Sequence, residues 1–479
     1  MKSIHKNENQ EVDVLKYLDR HARKWVTTEE IASNLNISRV TVNKIIKSIQ
    51  ARVSKNPNIN IEILQNKGIF FNATSSIYIV GIIQSIYRNS LTYKLITALL
   101  NETIVSLDQF AINQFISLAS IRRKISTIND ILSDSSICIK NNRIVGDEQN
   151  IRSFLFKYYW EIHRGTEWPF VNVDKQKLVS LSDKVSDTLN VWCSQVSYEQ
   201  IYYLLAIARL RYKKSHIIEK KQEFIERVEN NKLFDVAKKI WLEEFPFLNL
   251  CENELQYYFF VVSSFSLNYI RTDYKKLLSL KQMYQKQNTF SYLITKKLFS
   301  QIEQIYNIKN LEKKQPLLFL ELLMYHNRAF TISSDILITS LDRSYFVGKM
   351  KHNYPVIFNR LTKTISTIVK EFPQISKSKN YLLEIYSMFY FQALRTFFLK
   401  KIKLFVSLTA GRSMEKMIVH DIKQYFEDKF IIEETANEEE ADICITDSEF
   451  YHFRKSNILY VIEPRLTDRD FSYLEKILS

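Results

Sequence analysis

Apolar residues recur at helical spacing through most of the chain, and the first ordered run begins at Thr27 in TTEEIASNLNISRVTVNKIIKSIQARV. Thr27 with Glu30 three residues on forms a capping box, which predicts a helix to about Leu35. Asn36 and Ile37 make a short turn, and Ser38 caps the next helix. In that helix Val42, Ile45, Ile46, Ile49 and Val53 fall on one face and form the expected buried stripe. Ser38, Arg39, Thr41, Lys44 and Lys47 are left on the other face. A helix at about 10–22 packs behind the pair, and INIEILQNKGIFFNA reads as two strands around Asn66-Lys67-Gly68. Helix, turn, helix and hairpin in this order predict a winged helix-turn-helix.

The same order returns about 80 residues later. Helical patterning over 75–88 and 91–102 leads to SLDQFAINQFISLASIRRKISTINDILSD. A helix over 106–113, a turn over Gln114–Leu118 and a helix from about Ala119 to Leu132 follow, with Ile121, Ile125, Ile128 and Leu132 as the apolar stripe. Arg122, Arg123, Lys124, Ser126 and Thr127 lie largely on the other side, and SICIKNNRIVGDE reads as a second wing around Asn141-Asn142. Hydroxyl, amide and cationic groups near the start of such a helix can reach phosphates and base edges. Solvated basic helix faces would give the same pattern singly, but the repetition favours DNA. The expected DNA-contacting residues are Ser38, Arg39, Thr41, Lys44, Lys47, Arg122, Arg123, Lys124 and Thr127.

Residues 166–395 hold amphipathic stretches such as YEQIYYLLAIARLRYKKSHIIE and YLLEIYSMFYFQALRTFFL. They predict two successive helical bundles, with the break near Lys281–Thr289. After about Lys400 the pattern changes: KLFVSLT, IIEET, ADICITD and NILYVIE are strand-like, Met414–Phe426 is amphipathic, and Leu466–Leu478 reads as a closing helix. Strands alternating with helices imply a small parallel α/β sheet.

Composition narrows the class. Only 6 Gly and 7 Pro in 479 residues disfavour a long all-β meander, and 46% apolar residues permit large cores. Cys138, Cys193, Cys251 and Cys444 are far apart, without zinc or disulfide spacing. No apolar run reaches about 18 residues and no signal region follows the N-terminal charges, so a cytoplasmic location without a membrane is expected. Net charge is +15, unevenly spread: 22 Lys+Arg against 14 Asp+Glu in 1–165, but 12 against 16 in 400–479. A basic body suits a polyanion partner.

The stretch SIRRKISTINDILSDSSICIKNNRIVGDEQNIRSFLF resembles the Mga/AtxA family of bacterial global regulators. The wing ends in Ile144-Val145-Gly146-Asp147-Glu148, followed by Ile151-Arg152-Ser153-Phe154. The resemblance implies a mainly α, multidomain chain. Its expected parts are winged helix-turn-helix units at 1–74 and 75–165, two helical phosphotransferase-regulation-like domains at 166–282 and 283–396, and a C-terminal EIIB-like α/β domain at 397–479. It also implies phosphorylation on histidine, for which His216, His326 and His352 are the candidates in the bundles. The EIIB enzyme carries its phosphoryl group on a cysteine at the end of the first strand. Here that region reads Leu408-Thr409-Ala410-Gly411-Arg412-Ser413, which points to interaction rather than phosphoryl carriage.

The expected function is therefore a DNA-binding transcription regulator, an activator, with no catalytic site and no cofactor or metal. Its expected partners are double-stranded DNA, recognised by shape and A/T-rich preference, a homodimer or higher homo-oligomer, and phosphotransferase-system proteins. The alternative is an RNA-binding antiterminator with similar sensory domains, although such proteins begin with a small β-rich domain. An enzyme is disfavoured by the lack of a P-loop, GxSxG or HExxH motif.

Overall fold

The computed structural model describes residues 5–54, 56–244, 251–265, 267, 271–331, 343–390, 399–427, 429–448, 458–463 and 465–478. Among them the chain is mainly helical with small sheets, as the patterning implied. It divides into two units, residues 1–349 with 355–384 and residues 350–354 with 385–479.

In the larger unit, helices Lys6–Arg20, Thr28–Leu35 and Arg39–Val53 enclose Val12, Leu15, Leu18, Ile31, Val42, Ile45, Ile46 and Ile49. The first helix begins four residues before the predicted start. Strands Ile59–Leu64 and Gly68–Ala73 form the wing, and Trp25–Val26 adds a third strand beside the latter. Gly68 permits this close approach. Its φ is +99°, and a Cβ there would meet the Val26 carbonyl oxygen at 2.4 Å.

The second copy follows helices Ser76–Arg88 and Leu91–Asn101. It has helices Leu107–Asn113 and Leu118–Leu132 and the hairpin Ile137–Lys140 with Arg143–Gly146. Asn141 and Asn142 turn this hairpin with φ of 50° and 60°, the positive values a two-residue turn needs. The second recognition helix starts at Leu118 rather than Ala119, because the Ser117 hydroxyl accepts the Ser120 N–H. Ile125 is only half-buried, so its apolar stripe is narrower than predicted.

The helix Glu148–His163 is buried along nearly its whole length and joins the surrounding parts. At its first turn Asp147 pairs with Lys221 at 3.0 Å, Gln149 donates to the Phe330 carbonyl at 2.6 Å, and Asn150 donates to the Ser135 carbonyl at 3.0 Å. Below these lies a buried quartet of charges. Arg152 donates to both Glu254 oxygens at 2.8 Å, to Glu148 at 3.0 Å and to the His216 carbonyl at 3.1 Å. Arg211 binds Glu148 at 2.7 and 3.0 Å. Burial pushes the Glu148 carboxyl up, but the Arg211 hydrogen bond and both guanidinium charges outweigh it and hold the group below its usual range. At the far end His163 shares a 2.9 Å bond with Tyr93, and the His5 ring stacks on Tyr158.

The middle is built of long helices, among them Lys175–Leu189, Gln195–Lys213, Lys232–Glu244 and Glu252–Val262, then Tyr274–Gln287, Phe290–Tyr306, Pro316–Thr331 and Pro355–Glu371. The predicted break over Lys281–Thr289 contracts to two residues. Helix Tyr274–Gln287 runs through most of it, Asn288 ends that helix at positive φ, and Thr289 caps the next. The last predicted amphipathic stretch is helical over Lys379–Phe389, and its continuation at 391–398 lies outside the described residues.

In the second unit, strands Lys400–Ser407, Phe430–Glu434, Ile443–Thr446 and Ile458–Val461 form one parallel sheet in the order second, first, third, fourth. Helices Arg412–Tyr425 and Asp468–Leu478 belong with it, and Leu474, Ile418 and Ile422 share its core. This is the predicted small α/β sheet. The loop after the first strand is closed by Asp447, whose carboxylate accepts the Thr409 N–H at 2.9 Å and its hydroxyl at 2.6 Å. Cys444 is fully buried.

Candidate nucleic-acid interface

The two helix-turn-helix units superpose in sequence at an offset of 79 residues. Thr27 and Ser106 cap the leading helices, and Ser38 and Ser117 cap the recognition helices. The recognition-helix caps match in detail: Ser38 shares a 2.8 Å bond with the Thr41 hydroxyl, and Ser117 shares one of 2.8 Å with Ser120. The expected capping box is present, with Glu30 N–H on Thr27 Oγ1 at 3.1 Å and Thr27 N–H on Glu30 Oε2 at 2.6 Å.

The predicted contact residues divide by environment. In the first unit Val42, Ile45, Ile46, Ile49 and Val53 are buried as expected. Lys44 and Lys47 are exposed and make no ion pair among the described residues. Arg39 is exposed too, yet it pairs with Glu29 of the leading helix. Ser38 and Thr41 are turned toward each other by the cap, with Thr41 half-buried.

In the second unit Arg122 and Arg123 are exposed. Lys124 is half-buried, on the side of the helix away from that exposed face. Thr127 is exposed, but its hydroxyl donates to the Arg123 carbonyl at 3.0 Å. The outward cations are thus Lys44, Lys47, Arg122 and Arg123, fewer than the patterning suggested.

Two outward residues escaped the sequence reading, which sought hydroxyl, amide and cationic groups but named only hydroxyls and cations. Val40 is 79% exposed, and Asn43 is exposed with its Oδ1 accepting from Thr28 Oγ1 at 3.3 Å. Both lie one helical turn from residues already named, so helical spacing alone would have found them.

The candidate histidines also differ. His216 is partly exposed at the end of helix Gln195–Lys213, and its Nε2 bonds Glu102, the C-cap of the helix leading into the second unit. His326 is at odds with the expectation of an accessible imidazole. It is wholly buried, bonds Thr295 at 2.7 Å, and burial pushes its pKa down to about 3. His352 is exposed in the last turn of helix Arg343–Asn353.

Residues 77–159, which span the second unit and the helix behind it, match the Mga helix-turn-helix domain. The resemblance to the Mga/AtxA regulators holds. The chain is 23% identical over 308 residues to the capsule synthesis positive regulator AcpA of Bacillus anthracis, covering 63% of this chain and 62% of that one. It is 26% identical over 207 residues to the anthrax toxin expression trans-acting positive regulator of the same organism, covering 43% and 42%. For the capsule synthesis positive regulator AcpB of Bacillus anthracis the identity is 21% over 224 residues, 46% of each chain. The matches thus span about three fifths of the first relative and under half of the next two. All three of these relatives are described as positive regulators. No helix among the described residues is long and apolar enough to cross a membrane, and they hold no metal-binding cluster of His, Cys, Asp or Glu.

Proposed function

We propose that this chain is a cytoplasmic DNA-binding transcription regulator, an activator, that engages duplex DNA through both winged helix-turn-helix units. The observation that carries this reading is the repeat itself. Two recognition helices 79 residues apart each bury an apolar stripe, and each exposes two cations that are in no ion pair among the described residues. An amphipathic helix needs only the first of these features to fold, so the recurrence of the other points to a shared ligand. The printed roles of the relatives, positive regulators, supply activation.

In the same reading the helical middle is a pair of phosphotransferase-regulation-like domains, and the chain works as a homodimer. His216 supports the choice of phosphosite best, because its ring meets Glu102 of the second DNA-binding unit. A phosphoryl group on Nε2 would place an anion against that carboxylate and break the contact. His352 is a second accessible ring. The α/β unit is EIIB-like but serves association, since the loop that would receive a phosphoryl group is already closed by Asp447.

The test is a gel-shift titration of the full chain on duplex DNA, curved A/T-rich duplex and single-stranded RNA at several salt concentrations. Tighter binding to duplex, with affinity falling steeply as salt rises, is the expected result. Preference for RNA would overturn it.

A further inference from the structure

The outward stripe of the first recognition helix is chemically unlike that of the second. Val40, Asn43, Lys44 and Lys47 stand at i, i+3, i+4 and i+7, all exposed, opposite the buried Val42, Ile45, Ile46 and Ile49. At the offset of 79 their counterparts are Ala119, Arg122, Arg123 and Ser126, likewise exposed. An exposed branched apolar side chain and an amide in the first copy therefore correspond to a methyl group and a guanidinium in the second.

The surroundings of Asn43 fix which chemistry it offers. The Thr28 hydroxyl, from the first residue of the leading helix, donates to Asn43 Oδ1 and so orients the amide. Among the described residues no other group bonds this exposed amide, so one lone pair on Oδ1 and both N–H groups stay available. That is the acceptor–donor pair that matches N6 and N7 of adenine in the major groove. Val40, one turn nearer the helix start, is 79% exposed and suits the C5 methyl of thymine. The cation beside it, Arg39, is paired with Glu29 of the leading helix.

Resting on the reading of the chain as a duplex-DNA binder, we propose that the first unit selects A·T pairs by direct readout. Asn43 reads an adenine and Val40 the methyl of a neighbouring thymine, with Thr28 as the residue that positions the amide. The second unit contributes Arg122 and Arg123, whose forks match guanine or phosphate, and so does not share this preference.

The experiment is selection from a randomised duplex pool with the full-length wild type, Asn43→Ala, Asn43→Arg and Val40→Ala, each checked for an unchanged melting profile. The wild type should enrich a motif with an invariant A·T pair. Asn43→Ala should lose that invariance and bind the selected duplex roughly 5- to 150-fold more weakly, the range for one bidentate base contact. Asn43→Arg should move the preference at that pair toward G·C. In the selected duplex, replacing the adjacent thymine by uracil should weaken the wild type and leave Val40→Ala unaffected. An Asn43→Ala motif identical to that of the wild type would overturn the proposal. A wild type that retains no duplex would overturn the DNA reading itself.

Discussion

Arg152→Met is the most informative single change, because the geometry around it sets both the size and the sign of the effect. The guanidinium has no solvent exposure and neutralises Glu254, which is equally buried, while sharing Glu148 with Arg211. Its removal strands the Glu254 carboxylate, with the Ile218 N–H at 2.9 Å as a remaining neutral donor. Breaking a buried pair in this way costs about 3–5 kcal/mol. In Arg152→Met/Glu254→Gln the charges that remain are Glu148 and Arg211, already bonded to each other, and the glutamine can still accept from Ile218. The double variant should therefore recover at least about 2 kcal/mol of the single variant's loss. It should stay below the wild type by about 1 kcal/mol each for the unpaired His216 carbonyl and the lost contact of Arg152 with the Tyr257 ring at 5.1 Å. The assay is a double-mutant cycle by urea unfolding, followed by tryptophan fluorescence. A single variant within about 0.5 kcal/mol of wild type, or additive losses in the double, would refute the account.

Acid should loosen the joint between the two helix-turn-helix units. Burial lowers the pKa of His5 to about 3 and of His163 to about 4, so below about pH 6.5 the unfolded chain takes up protons that the folded chain refuses. Between 6.5 and its folded value each ring then withdraws up to about 1.4 kcal/mol of stability per pH unit, measured as a falling urea midpoint, and His163→Gln should flatten that slope. Gly68→Ala should cost at least about 1–3 kcal/mol through positive φ and the clash with Val26, with weaker duplex binding in a gel shift if the wing touches DNA. If Arg122 and Arg123 contact phosphates, each Ala variant should reduce the slope of log K against log salt by about 1, whereas Lys124→Ala should leave it unchanged.

Both recognition helices were legible because their burial is set by local spacing: Val42, Ile45, Ile46 and Ile49, or Ile121, Ile128 and Leu132, announce the inward face from one short stretch. Small errors arose where a hydroxyl cap moved a helix start, as Ser117 does, or where a neighbour claims a charge, as Glu29 does for Arg39. The charge quartet could not be read. Glu148, Arg152, Arg211 and Glu254 come from three helices up to 106 positions apart, and each looks like an ordinary surface charge in its own stretch. The burial of His326 was equally hidden, since helix Pro316–Thr331 is apolar around much of its circumference and gives no inward side to single out. The Arg152 that marked the family resemblance proves to hold the second helix-turn-helix unit to the first bundle.

The helix Glu148–His163 acts as a ruler. Its first turn is bonded to the second wing's approach and to both bundles, its last turn is bonded to Tyr93, and its Tyr158 stacks on His5. If both units engage duplex DNA as proposed, these contacts would set the distance and rotation between the two recognition helices before a duplex is met. A site engaged by both must then present its two segments in matching phase, and changing their separation by half a helical turn should release one unit while the other stays bound.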